Sequence, residues 1–394
     1  MVSALGVGYP ALLAFLQRPH ASSDVLLHAD SLTSISSERI PQAVAAEVRD
    51  FDARDYLGPK GLRNFDRLTR YLLVSAKLAL RHAGVKGEDG AHRILPNRIG
   101  LCSATAYGSL DVIHDMVHVV ELEDPHFLNP GQFPNTVINS AAGYVSIWED
   151  MQAPNVTVVD GNCGALDAFF TAGLHLEAGR ADAFLVGGGE VLSEPLYLAF
   201  RKLGLLADRG QRRRIGEPSS GGMLLGEGGA YMCLEREEDA RARGARIHAV
   251  AAGYGTAIEL PESEAVIVHV AEQAVERAVK SALDDAGVAP ADIDLVCASC
   301  SGVPAFDAPE LAALARVLPG VAVTAPKAWL GETLGAGGAF GVVCGLAFLE
   351  GAPVRPLLFG ELPNELRHVL VVSTGYYGNV SALVLRRGDR PATS

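Results

Sequence analysis

One run of the chain has the residue types of a nucleophile turn. It reads Pro154-Asn155-Val156-Thr157-Val158-Val159-Asp160-Gly161-Asn162-Cys163-Gly164-Ala165-Leu166-Asp167-Ala168. Its β-branched stretch predicts a buried strand, Asp160 to Gly164 a tight turn, and the remainder a helix. A side chain held there sits at a helix N-terminus, where backbone N–H groups and the helix dipole favour an anion. Enzymes often place a cysteine thiolate at such a point. Here the turn offers Asn162 and, one residue later, Cys163. An amide is not a usable nucleophile, and one step along a helix turns a side chain by about 100°. Two further stretches carry polar groups among small residues: Ser299-Cys300-Ser301-Gly302-Val303-Pro304 and Lys327-Ala328-Trp329-Leu330-Gly331-Glu332-Thr333-Leu334-Gly335-Ala336. Cys297-Ala298-Ser299-Cys300 is a CxxC, but no second ligand pair accompanies it, so neither a zinc nor a redox role is expected.

The elements that must position these residues alternate between strand and helix patterns. Asp66 to Ala83 has helical spacing through Leu68, Tyr71, Leu72, Ala76 and Leu80. Arg98 to Ala104 and Ala183 to Glu190 are aliphatic strands running into small-residue turns, with an apolar helix from Leu166 to Ala178 between them. The second half repeats the theme in Ile293 to Ser299 and Leu370 to Gly375. That pattern predicts an α/β protein with an internal duplication. The break is expected in the polar, Gly-bearing stretch Asp239 to Arg246, dividing the chain into residues 1–245 and 246–394.

Composition narrows the function classes. Hydrophobic residues make up 49% and charged residues 20%, enough for a large core. The formal charge of −13, without a long basic run, argues against nucleic-acid binding. No apolar run is long enough to cross a bilayer. Met1 to Leu16 is apolar but lacks a basic start and contains Gly6, Gly8 and Pro10, so it reads as a strand followed by a helix. Six scattered cysteines in apolar contexts suit a reducing compartment, and a cytoplasmic protein is expected. Arg212-Arg213-Arg214 reads as a solvated loop.

The chain resembles the β-ketoacyl synthases, a branch of the thiolase-like proteins. The motifs that carry the likeness are the turn at Asn162, Asn139-Ser140-Ala141-Ala142-Gly143, Gly226-Glu227-Gly228-Gly229, Gly375-Tyr376-Tyr377-Gly378-Asn379 and the two polar stretches above. The resemblance implies a thiolase-like fold, two duplicated α/β halves in a layered αβαβα arrangement. It implies no cofactor and no metal. Active members condense an acyl thioester with malonyl on acyl carrier protein, using one cysteine and two histidines. Laid on without gaps, the cysteine falls on Asn162 and the histidines fall on Ser299 and Glu332. Lys327, Gly331, Leu334, Gly335 and Ala336 still match. Serine cannot take up a proton near neutral pH, and a carboxylate opposes a developing enolate.

Within the family, the chain length factors of type II polyketide synthases show this loss and pair with an active ketosynthase subunit. Gly164-Ala165-Leu166-Asp167-Ala168 is similar to their turn. The resemblance then implies a non-catalytic partner that shapes the polyketide tunnel and meets acyl carrier protein bearing the chain. Candidate tunnel and interface residues are Ile113, Met116, Val117, Phe133 and Thr136, and ordinary core is an equally open reading of them. Tyr376 takes the place of a gating Phe. A rival reading keeps the chain an acyltransferase or condensing enzyme with Cys163 as nucleophile. Carrier proteins are acidic and so is this chain, so direct docking would need a local basic patch such as Arg201, Lys202 and Arg212 to Arg214.

Overall fold

The aliphatic runs form strands, and the stretches of helical spacing pack against them. The computed structural model describes residues 1–18, 27–263, 265, 266 and 268–388. Among these the strands are β1 (Val2–Ser3), β2 (Gly6–Val7), β3 (Leu27–His28), β4 (Val44–Ala46), β5 (Ile99–Ala104), β6 (Asn155–Val158), β7 (Ala183–Glu190), β8 (Leu225–Gly226) and β9 (Gly228–Glu235). They continue as β10 (Ala249–Ile258), β11 (Leu295–Cys297), β12 (Ala322–Thr324), β13 (Leu357–Phe359), β14 (His368–Thr374) and β15 (Asn379–Arg387). The apolar N-terminus is a short hairpin of β1 and β2 followed by the helix Tyr9–Leu16.

One six-stranded sheet has the order β2-β1-β9-β7-β5-β6 and the other β10-β15-β14-β11-β12-β13. The series β1-β9-β7-β5-β6 and β10-β15-β14-β11-β12 share one pattern. In each, the last three strands are parallel neighbours and the first two pair antiparallel. This is the internal duplication read from the sequence.

Side-chain alternation along the strands sets the layers. Leu101 and Leu185 face an outer layer made by the helices Arg67–His82 and Ser140–Glu149. Cys102, Ala104 and Val186 face inward onto the helices Gly164–Glu177 and Gly337–Leu349, whose far side meets Leu295, Cys297 and Val371. Val296, Leu370 and Val372 face the other outer layer, the helices Glu272–Ala286 and Pro304–Val317. The result is the layered αβαβα arrangement of the thiolase-like fold. The helix Gly337–Leu349 carries no charge and is buried nearly all round, as a helix between two sheets must be. Gly341 lets it lie against β14, since a Cβ there would meet Val371 Cγ1 at 2.7 Å.

The sequence misjudged β6. It was expected as a buried strand, but it lies at the sheet edge with only β5 beside it, and Asn155 and Val159 are exposed. A β-branched run reports strand propensity and not whether a second neighbour covers its other side.

Candidate functional site

The chain leaves β6 through Asp160 and enters a short 3-10 turn, Gly161–Cys163, continuous with the helix from Gly164. Gly161 has φ +51°, in the left-handed region that glycine adopts without strain. Asn162 is thereby turned inward and is 3% exposed. Its Nδ2 donates to the Thr374 carbonyl at 3.1 Å and faces Glu332 Oε2 at 3.4 Å. Cys163 points into the core, and its thiol donates to the Ser373 carbonyl at 3.3 Å. Burial pushes that thiol well above the ordinary range, and the Asp167 and Asp160 carboxylates add to the shift. A thiolate is disfavoured there.

The structure brings together Asn162, Ser299 and Glu332, the three positions that the resemblance assigns to the triad. Glu332 is fully buried and accepts from four groups. Its Oε2 takes Tyr376 Oη at 2.6 Å, Lys327 Nζ at 2.7 Å and Asn162 Nδ2. Its Oε1 takes the Leu334 amide at 2.9 Å. Lys327 Nζ also donates to Ser299 Oγ at 2.9 Å, and that oxygen accepts the Thr374 amide at 3.1 Å. Gly331, with φ +74°, makes the turn that separates Lys327 from Glu332, and a Cβ there would meet the Gly226 amide nitrogen at 2.9 Å. A void of about 10 Å³ lies beside Ser299 and Lys327, room for one water and not for an acyl thioester.

Around this cluster, buried carboxylates hold the loops. Glu310 accepts the Ser299 amide at 2.6 Å, and burial raises its pKa to about 7. Glu190 accepts the amides of Ala106 at 2.7 Å and Gly335 at 3.3 Å, and burial raises its pKa to about 7. Asp307 takes the amides of Ser301, Gly302 and Gly216.

Some residues differ from the sequence reading. Arg213 was read as part of a solvated loop and of a basic surface patch. Its guanidinium instead turns inward and donates to the carbonyls of Lys327 at 2.6 Å and Ala328 at 2.8 Å, clamping the loop that carries Lys327. Arg201 and Arg214 pair with Asp208 and Glu217, which weakens the expected patch further. Tyr376 does more than fill space. Its ring stacks on Phe306 at 4.8 Å while its hydroxyl reaches Glu332. Glu190 was read only as a strand end. A carboxylate closing an otherwise buried, glycine-rich strand was the available signal.

The candidate tunnel residues fall elsewhere. The helix Leu110–Leu122, which carries Ile113, Met116 and Val117, buries none of its residues. Val117 is 54% and Phe133 63% exposed. Thr136 is half-buried and caps back onto the Phe133 carbonyl at 2.8 Å. Val117 and Phe133 are surface, Ile113 and Met116 are half-buried, and none of the group belongs to the buried core. Leu122, Phe127, Val137 and Ile138 extend the apolar patch, and Val159, Phe170 and Leu174 expose a second one along β6 and the following helix. Among the described residues no cluster of His, Cys, Asp or Glu could hold a metal ion, and no helix is long and apolar enough to cross a membrane.

Comparisons with known proteins bear on the family and the fold. The sequence profile of the "Beta-ketoacyl synthase, N-terminal domain" matches residues 22–240, and that of the C-terminal domain matches residues 248–358. The chain is 31% identical to a "Putative polyketide beta-ketoacyl synthase 2" of Streptomyces halstedii, covering 92% of this chain and 91% of that protein. It is 28% identical to a "3-oxoacyl-[acyl-carrier-protein] synthase 2" of Coxiella burnetii, covering 90% of each. Among solved structures, the ishigamide ketosynthase/chain length factor matches with a TM-score of 0.87 at 25% identity, covering 98% of this chain and 97% of that one. A type II polyketide ketosynthase solved in complex with its acyl-carrier protein matches in fold with a TM-score of 0.80 at 22% identity, covering 98% and 97%. The chain belongs to the β-ketoacyl synthase family.

Proposed function

We propose that this chain is the non-catalytic subunit, a chain length factor, of a heterodimeric type II polyketide ketosynthase. One observation carries the reading. The resemblance lays the family's nucleophile on Asn162 and its two histidines on Ser299 and Glu332, and these residues with Lys327 form a closed hydrogen-bonded cluster. Asn162 is no nucleophile, and the amine beside the Ser299 hydroxyl is held in an ion pair with the buried Glu332 carboxylate. The Cys163 alternative gains no support from its surroundings, a carbonyl partner and a thiol pushed upward by burial.

The exposed apolar residues favour a partner subunit. β6 presents an unpaired edge, and Val159, Phe170 and Leu174 beside it are about half exposed. Contiguous apolar surface of this kind marks an association site. Val117 and Phe133, with Ile113, Met116 and Thr136, would then meet the partner's growing chain, and their bulk would end elongation. An acidic carrier protein would find its counter-charge in a surface groove at Arg63 and Arg70, since Arg54 and Arg67 of the same groove already pair with Asp52 and with Glu47 and Glu227.

The test is reconstitution with an active ketosynthase subunit, followed by treatment with a cerulenin-type electrophile and mass mapping. Modification confined to the partner's cysteine is expected. Stoichiometric modification of Cys163 by the electrophile, with product lost in Cys163→Ala, would sink the proposal.

A further inference from the structure

Between Arg98 and Arg180 the chain holds ten aspartates and glutamates and not one lysine or arginine. That run folds into the helix Leu110–Leu122, the 3-10 segment Pro130–Thr136, the helix Ser140–Glu149, β6 and the helix Gly164–Glu177. The helix Ser140–Glu149 packs on both the 3-10 segment and β6, and the helix Gly164–Glu177 lies on the other side of the sheet. Together they make one face around the unpaired β6 edge, with Val117, Phe133, Ile147, Val159, Phe170 and Leu174 exposed on it. Among the described residues, only Glu149 of the ten acids pairs with a lysine or arginine, Lys86 at 2.9 Å. Asp160 is exposed just beyond β6 and accepts Asn379 Nδ2 at 3.0 Å. Asp167 accepts Tyr254 Oη at 2.6 Å and Ser381 Oγ at 2.5 Å. All of these donors are neutral. Burial raises the Asp167 pKa to about 7, and the neighbouring Asp160 carboxylate adds to the shift.

We infer that this face is an acid-only docking surface that selects a basic partner subunit and rejects a second copy of this chain. The inference rests on the proposed pairing with a ketosynthase subunit and names the chemistry of the partner's contact surface, an apolar centre bordered by lysine or arginine. Apolar contact by itself does not choose, since a second copy offers the same exposed side chains. Charge does choose. A two-fold contact uses the same patch on both copies. It would set acid against acid, with no cation from either run to offset the buried charge. A basic partner supplies the counter-charge and meets no such repulsion. Attraction of this kind speeds association about tenfold or more and is lost as salt rises.

The experiment makes a basic partner out of this chain itself. A variant carrying Asp115→Lys, Glu121→Lys and Asp160→Lys is mixed with the parent, and complex formation is followed by sedimentation velocity at about 0.02 M and about 0.5 M salt. The parent alone should associate no better at low salt than at high. The mixture should associate about tenfold more tightly than the parent alone at low salt, and lose that gain at high salt. A control variant with Glu238→Lys, Asp284→Lys and Glu361→Lys carries the same net charge outside this face and should give no gain. Should Asp160→Lys unfold the chain, the other two substitutions decide alone, since both lie on the helix Leu110–Leu122, which buries none of its residues. A parent that self-associates more tightly at low salt, a mixture no tighter than the parent, or an equal gain from the control would each overturn the inference. Binding of the parent to an active ketosynthase subunit is measured separately. No binding there, with the gain in the mixture intact, counts against the proposed pairing and leaves the charge selection standing. Binding that salt does not weaken counts against the charge selection alone.

Discussion

Replacing Lys327 by Met should destabilise the protein more than replacing Lys327 and Glu332 together. The ammonium is 9% exposed and the carboxylate 0%, at a separation of 2.7 Å. Removing the cation alone leaves a buried carboxylate with only the neutral donors Tyr376, Asn162 and the Leu334 amide. An uncompensated buried charge of this kind costs about 3–5 kcal/mol. An unfolding entropy of roughly 2.1 cal/mol/K per residue over 394 residues converts this to a fall in Tm of about 4–6 °C. The double variant Lys327→Met with Glu332→Gln removes both charges, keeps a carbonyl oxygen for the Leu334 amide, and turns its NH2 to the Tyr376 hydroxyl, which can accept as well as donate. It should recover at least half of the loss, because the penalty lies in the unpaired charge and not in the pair. Scanning calorimetry of the parent, both single variants and the double variant closes the cycle. A Lys327→Met Tm within about 1 °C of the parent would refute the reasoning on that scale. A double variant no more stable than Lys327→Met would refute it equally.

Further outcomes follow from the same geometry. Cys163→Ala should leave product yield in the reconstituted pair unchanged, with a stability loss of about 1 kcal/mol or less for one small buried side chain; chromatographic product analysis checks the first and urea melts the second. Phe133→Ala or Met116→Trp should shift the distribution of product lengths, longer for the first and shorter for the second, as read by mass spectrometry; unchanged lengths across both would remove these residues from the tunnel. Glu310 has a folded pKa raised to about 7 by burial, so the folded state binds its proton more tightly than the unfolded state. The stability it contributes is full below its unfolded pKa of about 4.5 and is lost as pH rises towards 7. The Tm of the parent relative to Glu310→Gln should therefore fall between those pH values, and a constant difference would refute the assignment.

Much of the fold was legible because it rests on local periodicity. The strand Ala183–Glu190 was read with its observed limits, and the helix read from Asp66 begins at Arg67 with Asp66 as its cap, accepting the Thr69 amide at 2.7 Å. The edge position of β6 was not legible, because strand propensity carries no count of neighbours. Arg213 was misplaced for a related reason. A run of three arginines looks solvated, yet the middle one finds carbonyls of a loop more than a hundred positions away. The exposure of the helix Leu110–Leu122 also escaped periodicity, since an apolar stripe looks the same whether it faces a core or another subunit.

The sequence alone determined the layered α/β fold and the residue types at the three positions that the resemblance assigns to the triad. Those follow from patterning and from motif spacing, which are properties of short stretches of chain. Only the tertiary structure decided what the substituted residues do together. Asn162 and Glu332 stand 170 positions apart, and Tyr376 stands 44 positions beyond Glu332. Their contact exists because two duplicated halves pack with their loops facing one pocket. There a buried carboxylate must gather donors from whichever loops pass it, and the donors it gathered tie those loops to one another.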